Sequence, residues 1–251
     1  MNQERYRIGK VYITATNPKD AEAQIVQAAR DGVTDYICVS NMRTVVLANE
    51  DREYCRLMNE AFMCLPDGMP LTWMARLWGR KEVNRTDGPD LLVSMLNKPE
   101  YGLKHFLLGD TEETLAAMRE KFPDAGIVDT YSPPFKPLEE YDLQALADRI
   151  NESGANIVWV SLRAPKQDVL AQRLKPMLNG KMCIGVGAAF RFALGSYKHP
   201  NKVVQKMGLT GFFWRKIGFK GLLTYCKWVL LCMKWGGAIL CSRLWNSLRK
   251  Q

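Results

Sequence analysis

The sequence has only two histidines, His105 and His199, and His105 sits inside the apolar run from Lys104 to Leu108. That scarcity argues against a Ser-His-Asp triad, whose base must be an imidazole oriented by a further polar group. His105 is expected to be a core or strand-end residue. There is no Asp-x-Asp sequence and no compact His/carboxylate cluster, so a dedicated metal-nucleotide site has no support. The seven cysteines form no Cys-x-x-Cys pair, lack histidines at metal spacing and are odd in number, which predicts reduced thiols of a cytosolic protein. Met1 to Tyr6 lacks the apolar core of a secretory signal, so the active surface is expected to face the cytoplasm. Acidic residues also run out. The last is Asp168, and residues 169–251 hold fifteen Lys or Arg against none.

The first 168 residues therefore carry a net charge of −6 and the remainder +15. A basic carboxyl-terminal third suits an anionic partner, whether phospholipid headgroups, a nucleotide diphosphate or nucleic acid, although a solvated basic face has the same composition. With 251 residues, 47% of them hydrophobic, the chain can bury one sizeable α/β core plus an appendage. Short β-rich apolar runs alternate with amphipathic helical patterns over the first 200 residues. This predicts a Rossmann-like layered α/β domain with a largely parallel sheet flanked by helices. Expected strands are Val11 to Thr14, Tyr36 to Ser40, Thr44 to Leu47, Phe106 to Leu108, Gly126 to Val128, Ile157 to Ser161 and Met182 to Val186. Start signals at Asn17-Pro18, Asp110-Thr111 and Pro165 predict helices over Ala21 to Ala29, Leu115 to Phe122 and Val169 to Leu178. No internal repeat or low-complexity tract is present.

The composition changes near Leu209, which divides an α/β core (1–208) from a basic helical appendage (209–251). On a helix, Lys216, Lys220, Lys227 and Lys234 fall within roughly 40° of one another, and nearly everything else there is apolar or aromatic. Lys227 and Lys234 interrupt any run of the about eighteen apolar residues that a spanning helix needs. A helix lying in the membrane interface is expected instead, with Trp228 and Trp235 at headgroup depth and the lysines toward anionic lipid. The alternative is a helix packed on the core or at a subunit interface. Gly236-Gly237 should break it before a second piece from Ala238 to Leu248.

Asp67, in Leu65-Pro66-Asp67-Gly68, is a carboxylate on a tight turn expected to follow a helix. Pro-Asp-Gly is also ordinary turn chemistry, so its companions decide its meaning. In four segments a strand is expected to end in small or polar residues before a helix: Val39-Ser40-Asn41, Leu108-Gly109-Asp110, Ser161 to Gln167, and Ile184 to Phe190. Ligands of open α/β sheets bind at such ends, so these loops should converge on one cleft. Gly185-Val186-Gly187 permits close backbone approach but is not the dinucleotide fingerprint, because Phe190 replaces the third glycine. That departure disfavours a nicotinamide oxidoreductase. Gln167 in a helix's first turn is either a ligand contact or a solvated polar residue. Arg85, in the loop with Gly88 and Asp90, can grip a diphosphate or form a surface ion pair.

Asn41, Leu65 to Gly68, Asn84-Arg85 to Gly88-Pro89-Asp90, Phe106 to Gly109, Ala164-Pro165-Lys166-Gln167 and Ile184 to Gly187 stand in an order and spacing that resembles the WecG/TagA/CpsF family of bacterial glycosyltransferases, over about residues 10–210. The resemblance implies inverting, metal-independent transfer of a sugar (of N-acetylmannosamine type, its uronate or a hexose) from a UDP-sugar to a sugar on an undecaprenyl diphosphate, with no cofactor. It further implies cell-surface polysaccharide synthesis by a peripheral protein on the cytoplasmic face of the inner membrane, without nucleic acid and with homo-oligomerisation left open. By motif, Asp67 resembles the general base and Arg85 the stabiliser of the leaving diphosphate. Asn41 and Gln167 resemble sugar contacts, and Ser40, Gly68, Gly88, Asp90, Gly109, Pro165, Lys166, Gly185 and Gly187 complete the implied substrate site. A basic appendage that docks on the membrane is also implied. The chain departs from the family pattern at Val39, Arg191, His199-Pro200-Asn201 and Thr210-Gly211. Those departures keep open an alternative, a membrane-associated nucleotide-sugar-binding or scaffold protein without catalysis.

Overall fold

The computed structural model describes residues 3–197, 230, 231, 233–238, 240 and 241. A hairpin of β1 (Arg5–Ile8) and β2 (Val11–Thr14) opens the fold, followed by α1 (Pro18–Arg30), β3 (Asp35–Ser40), α2 (Met42–Glu50), α3 (Arg52–Glu60), β4 (Met63–Pro66), α4 (Met69–Leu77) and α5 (Gly88–Leu96). Then come β5 (His105–Gly109), α6 (Glu112–Lys121), β6 (Ile127–Tyr131), α7 (Leu143–Glu152), β7 (Ile157–Ser161), α8 (Lys166–Leu174), β8 (Met182–Gly185) and α9 (Ala189–Ala193). Six strands form one sheet in the order β4-β3-β8-β7-β5-β6, every neighbouring pair parallel. The expected Rossmann-like α/β architecture is therefore the one observed.

The central strands read as continuous apolar runs because both faces of the sheet are covered. On one face Tyr36, Cys38, Val158 and Val160 pack with residues of α2, α3, α7 and α8 and with the hairpin. On the other, Ile37, Val39, Ile157 and Trp159 pack with α1, α5, α6 and α9. The period of two thus sorts one strand's side chains into two separate cores. Helix starts follow local chemistry. Asn17 accepts from the Asp20 N–H ahead of Pro18, and Thr111 accepts from the Thr114 N–H ahead of α6.

Three expectations change. Thr44 to Leu47 is helical, inside α2: Asn41 and Thr44 form a reciprocal capping box, and burial of Val45, Val46 and Ala48 outweighs the β preference of the run. Two strands went unanticipated: β1, and β4, a four-residue segment ending in a proline that an edge strand tolerates. Asp67 consequently follows a strand and not a helix, which places it at the carboxyl edge of the sheet. The helix expected to reach Leu178 ends at Leu174, and one 3-10 turn, Lys175–Met177, follows.

Most of the appendage lies outside the described residues, including Lys216, Lys220, Lys227, Trp228 and the division at 208/209, as do His199-Pro200-Asn201 and Thr210-Gly211. Within it, residues 233–238 are helical through Gly236 and Gly237, where a break was expected. A Cβ at Gly236 would stand 3.2 Å from Leu77 Cδ1, so the bare backbone serves close packing on α4. Trp235 is half-buried against the same apolar layer, and Lys234 is exposed. No helix of the described residues is long and apolar enough to cross a membrane.

Candidate active site

Sheet order places the carboxyl ends of β4, β3, β8 and β7 side by side. The order in which strands are added reverses there, since β3 leads outward to β4 and the chain then crosses back to β5. A cleft of about 1700 Å³ opens over these ends, and each of the four loops expected to converge contributes to it, through Asn41, Asp110, Ser161 and Gly187 among others.

Two backbone bonds assemble its acidic corner. The Asp67 N–H donates to the Ser40 carbonyl at 2.7 Å, which fastens the turn after β4 to the end of β3. The Thr86 N–H donates to the Pro66 carbonyl at 2.9 Å, which lays the Arg85 loop on the same edge. Gly68 continues the turn at φ 126° and opens α4. Arg85 then lies between two carboxylates, its Nε 3.4 Å from Asp67 Oδ1 and its Nη2 2.5 Å from Asp87 Oδ2. The side chains of Asp67, Arg85 and Asp87 are 26%, 20% and 4% exposed, so of the two carboxylates lining the cleft Asp67 is the accessible one and Asp87 the buried one. Burial, then the negative charge of Asp67, push the Asp87 carboxyl well above the ordinary carboxylate range despite Arg85. Burial works against the Arg85 charge, but the neighbouring carboxylates outweigh it and hold the guanidinium protonated.

The opposite wall is built from α8 and the turn after β8. Gln167 is buried, not solvated, and its Oε1 accepts from the Gly187 N–H at 2.8 Å. Its amide is thereby oriented, with Nε2 lying over Gly185. Lys166 donates to the Lys136 carbonyl at 2.6 Å and sits 4.7 Å above the Tyr141 ring, at the cleft edge. Asn41 is exposed to the cleft, but its Oδ1 caps α2 by accepting from Arg43 and Thr44 N–H groups, which leaves the Nδ2 end for a ligand.

Other expected site residues serve the frame. Ser40 turns its hydroxyl to Cys64 Sγ at 2.9 Å, inside the sheet. Gly88 packs α5 on the backbone of Val186, and Pro165 carbonyl starts α8 by accepting from Asp168 and Val169. Gly109 has φ 114°, and a Cβ there would stand 2.6 Å from the Ser161 carbonyl oxygen, so no other residue fits the turn. Asp90 is exposed outside the cleft and acts on Asp87 by a hydrogen bond that favours the protonated form of Asp87. Cys38, Cys55, Cys64 and Cys183 are buried and free, and Cys241 is exposed and free. His105 is a core residue as expected; its Nδ1 accepts from Trp159 Nε1 at 3.1 Å, and burial pushes its pKa down to about 4.

Asp87 was not anticipated as part of the site, and Asp110, expected at the cleft through its loop, has a partner that was not anticipated. Asp87 reads as loop chemistry until Arg85 is seen to bridge it to Asp67. Asp110 takes φ 62°, a strained value for a residue with a side chain, and Arg191 holds it with Nε and Nη2 at 2.9 and 2.8 Å. Burial pulls the Asp110 carboxyl up, but these bonds from Arg191 bring it below its ordinary value. The departure at Arg191 is thus absorbed in a new ion pair across the cleft wall. Among the described residues no group of three or more His, Cys, Asp or Glu is arranged to hold a metal ion.

Asp168 backs the Gln167 wall. Its Oδ2 accepts from the Tyr54 hydroxyl at 2.6 Å, while Oδ1 has no hydrogen-bond partner and, like Gln167 Nε2, would lie 2.8 Å from a Cβ on Gly185. Burial pushes its pKa up to about 6, against the pull of the Tyr54 bond. A folded-state pKa above the unfolded one contributes stability at low pH that is lost as pH rises through about 6. Asp168→Asn is expected to flatten the fall in unfolding free energy between pH 5 and 8 by about 1–1.5 kcal/mol. Urea titrations of both proteins across that range check it, and parallel curves would remove Asp168 as the titrating group.

Residues 6–217 match the model of the glycosyl transferase WecG/TagA/CpsF family, a span slightly wider at both ends than the motifs suggested. The chain belongs to that family. As a WecG/TagA/CpsF member it is a glycosyltransferase, moving sugar from a sugar-nucleotide donor to an acceptor. The match spans the whole six-stranded sheet and all the cleft residues discussed above up to Arg191.

Proposed function

We propose that this WecG/TagA/CpsF protein transfers a sugar with inversion, without a metal, from a UDP-sugar to a sugar carried on a polyprenyl diphosphate, as a peripheral protein on the cytoplasmic face of the bacterial inner membrane. The observation that carries the reading is Asp67, a carboxylate at the cleft with Arg85 Nε 3.4 Å away and both loops fastened to β3 and β4 by backbone bonds. The acceptor hydroxyl oxygen forms a bond to the anomeric carbon as the bond from that carbon to the UDP oxygen breaks. The hydroxyl proton passes to Asp67, and the electron pair of the broken bond leaves with UDP. Arg85 meets the charge that develops on the diphosphate. In this reading Asn41 Nδ2 and the Gln167 amide bond sugar hydroxyl or acetamido groups.

A donor screen tests the reading. Purified protein with polyprenyl-diphosphate glycan acceptors should release UDP from one UDP-sugar of a panel only when both substrates are present, and release should persist in excess EDTA. Binding of the donor without UDP release on any acceptor would contradict transfer, and loss of turnover in EDTA restored by a divalent cation would contradict metal independence.

A further inference from the structure

Large apolar side chains left exposed on this protein are not scattered. Among the described residues there are seven, and five of them, Trp73, Phe135, Tyr197, Met233 and Leu240, line the mouth of the one cleft that holds Asp67. Leu230 lies one turn before Met233, which leaves Tyr12 alone elsewhere on the surface. Scattered exposed hydrophobics need no account, but a ring of them round one opening does.

These side chains come from separate segments, and a cation accompanies three of them. Phe135, wholly exposed, ends the Pro133-Pro134-Phe135 loop between β6 and α7 and is followed by Lys136, whose carbonyl is held by Lys166 at 2.6 Å. Two prolines and that bond stiffen the loop, so the exposed ring is presented and not merely loose. On the facing wall Trp73 of α4 has Arg76 one turn along the same helix surface, also exposed. Met233 is followed by the exposed Lys234. Apolar tips with neighbouring cations are the composition of a surface that seats its rings at the acyl boundary and its charges among anionic headgroups. The net charge of +15 beyond Asp168 has the same complementarity.

We propose that Phe135 and Trp73 form a lipid-facing rim on the α/β core itself, which seats the cleft mouth on an anionic bilayer in addition to any contact made by the basic appendage. Its biological sense rests on the reading of the acceptor as lipid-linked, because a rim on both sides of the cleft turns Asp67 toward the plane where such an acceptor's headgroup lies. Vesicle binding itself requires no acceptor, so the two readings fail separately.

The test uses the full chain with vesicles of phosphatidylcholine, with and without one quarter phosphatidylglycerol, in a sedimentation assay. The surface variants Phe135→Ser, Trp73→Ser, their combination and the control Tyr12→Ser are compared, with UDP affinity and melting temperature measured in parallel. The double variant is expected to lower the partition coefficient on anionic vesicles about tenfold or more, as loss of two aromatic contacts implies. Tyr12→Ser should bind vesicles as the parent does, and UDP affinity should stay unchanged throughout. Unchanged partitioning of the double variant would overturn the proposal, and so would an equal loss in Tyr12→Ser. A fall in melting temperature or a change of oligomeric mass without vesicles would also overturn it, because another segment or a second copy would then cover this face.

Discussion

Asp67→Asn is expected to lower kcat by about 10²–10⁴-fold, the usual contribution of a positioned general base, with little change in the KM for donor. The substitution keeps size and planarity. It also keeps the Asp67 N–H bond to the Ser40 carbonyl, because that bond belongs to the backbone. What it removes is the lone pair that accepts the acceptor's proton. Arg85 keeps its bond to Asp87, so the guanidinium stays in place and diphosphate binding should survive. Single-turnover transfer with donor saturating separates chemistry from binding. A variant that turns over at the parental rate would take Asp67 out of the mechanism, whereas a rise in KM at constant kcat would make it a binding residue.

Arg85→Ala should damage both stability and activity. Asp87 is only 4% exposed and has Arg85 Nη2 at 2.5 Å, so removing the guanidinium strands a buried carboxylate beside Asp67. Leaving a buried polar group without its hydrogen-bond partner costs about 1–3 kcal/mol. The pH dependence follows from the raised pKa of Asp87. Such a group stabilises the fold below its unfolded pKa and loses that contribution as pH rises through the folded value. Without Arg85 the folded value climbs above about 8, so the stability deficit should be larger at pH 9.5 than at pH 6.5, where Asp87 is protonated in both proteins. Denaturant unfolding of parent and variant at the two pH values checks this. Equal deficits would mean that Asp87 does not titrate against Arg85. On activity, loss of a charge that meets the leaving diphosphate should lower kcat by about 10²–10³-fold, with Arg85→Lys recovering part of it.

How much of this was legible beforehand depended on the range of the interactions involved. The strands Ile157–Ser161 and Met182–Gly185 are readable because a doubly covered parallel sheet writes itself as an uninterrupted apolar run. Thr44 to Leu47 looks like another such run, and only the Asn41 and Thr44 capping bonds make it a helix. Met63–Pro66 is too short and too near a proline to stand out, yet it carries Asp67 to the sheet edge. The bend at Asp67 and Gly68 is local chemistry, but Leu65 and Pro66, read as part of the turn, belong to the strand. Asp87 was not singled out, because its meaning arises from a bond to Arg85 and the proximity of Asp67 across a loop that sequence spacing does not orient. Gln167 was legible as a residue in a helix's first turn, but not as an amide locked by the Gly187 N–H. The exchange of an expected aspartate for Arg191 was visible, while its partner Asp110, 81 positions away along the chain, was not.

The central claim is a single displacement with Asp67 as base, made on a lipid-linked acceptor. The configuration of the bond it forms tests this most directly. Donor carrying ¹³C at the anomeric carbon of an α-linked UDP-sugar would be transferred to a polyprenyl-diphosphate glycan, and the one-bond carbon–hydrogen coupling of the new linkage measured by NMR. The account requires a β linkage. An α linkage would demand two displacements or a front-face reaction and would contradict it.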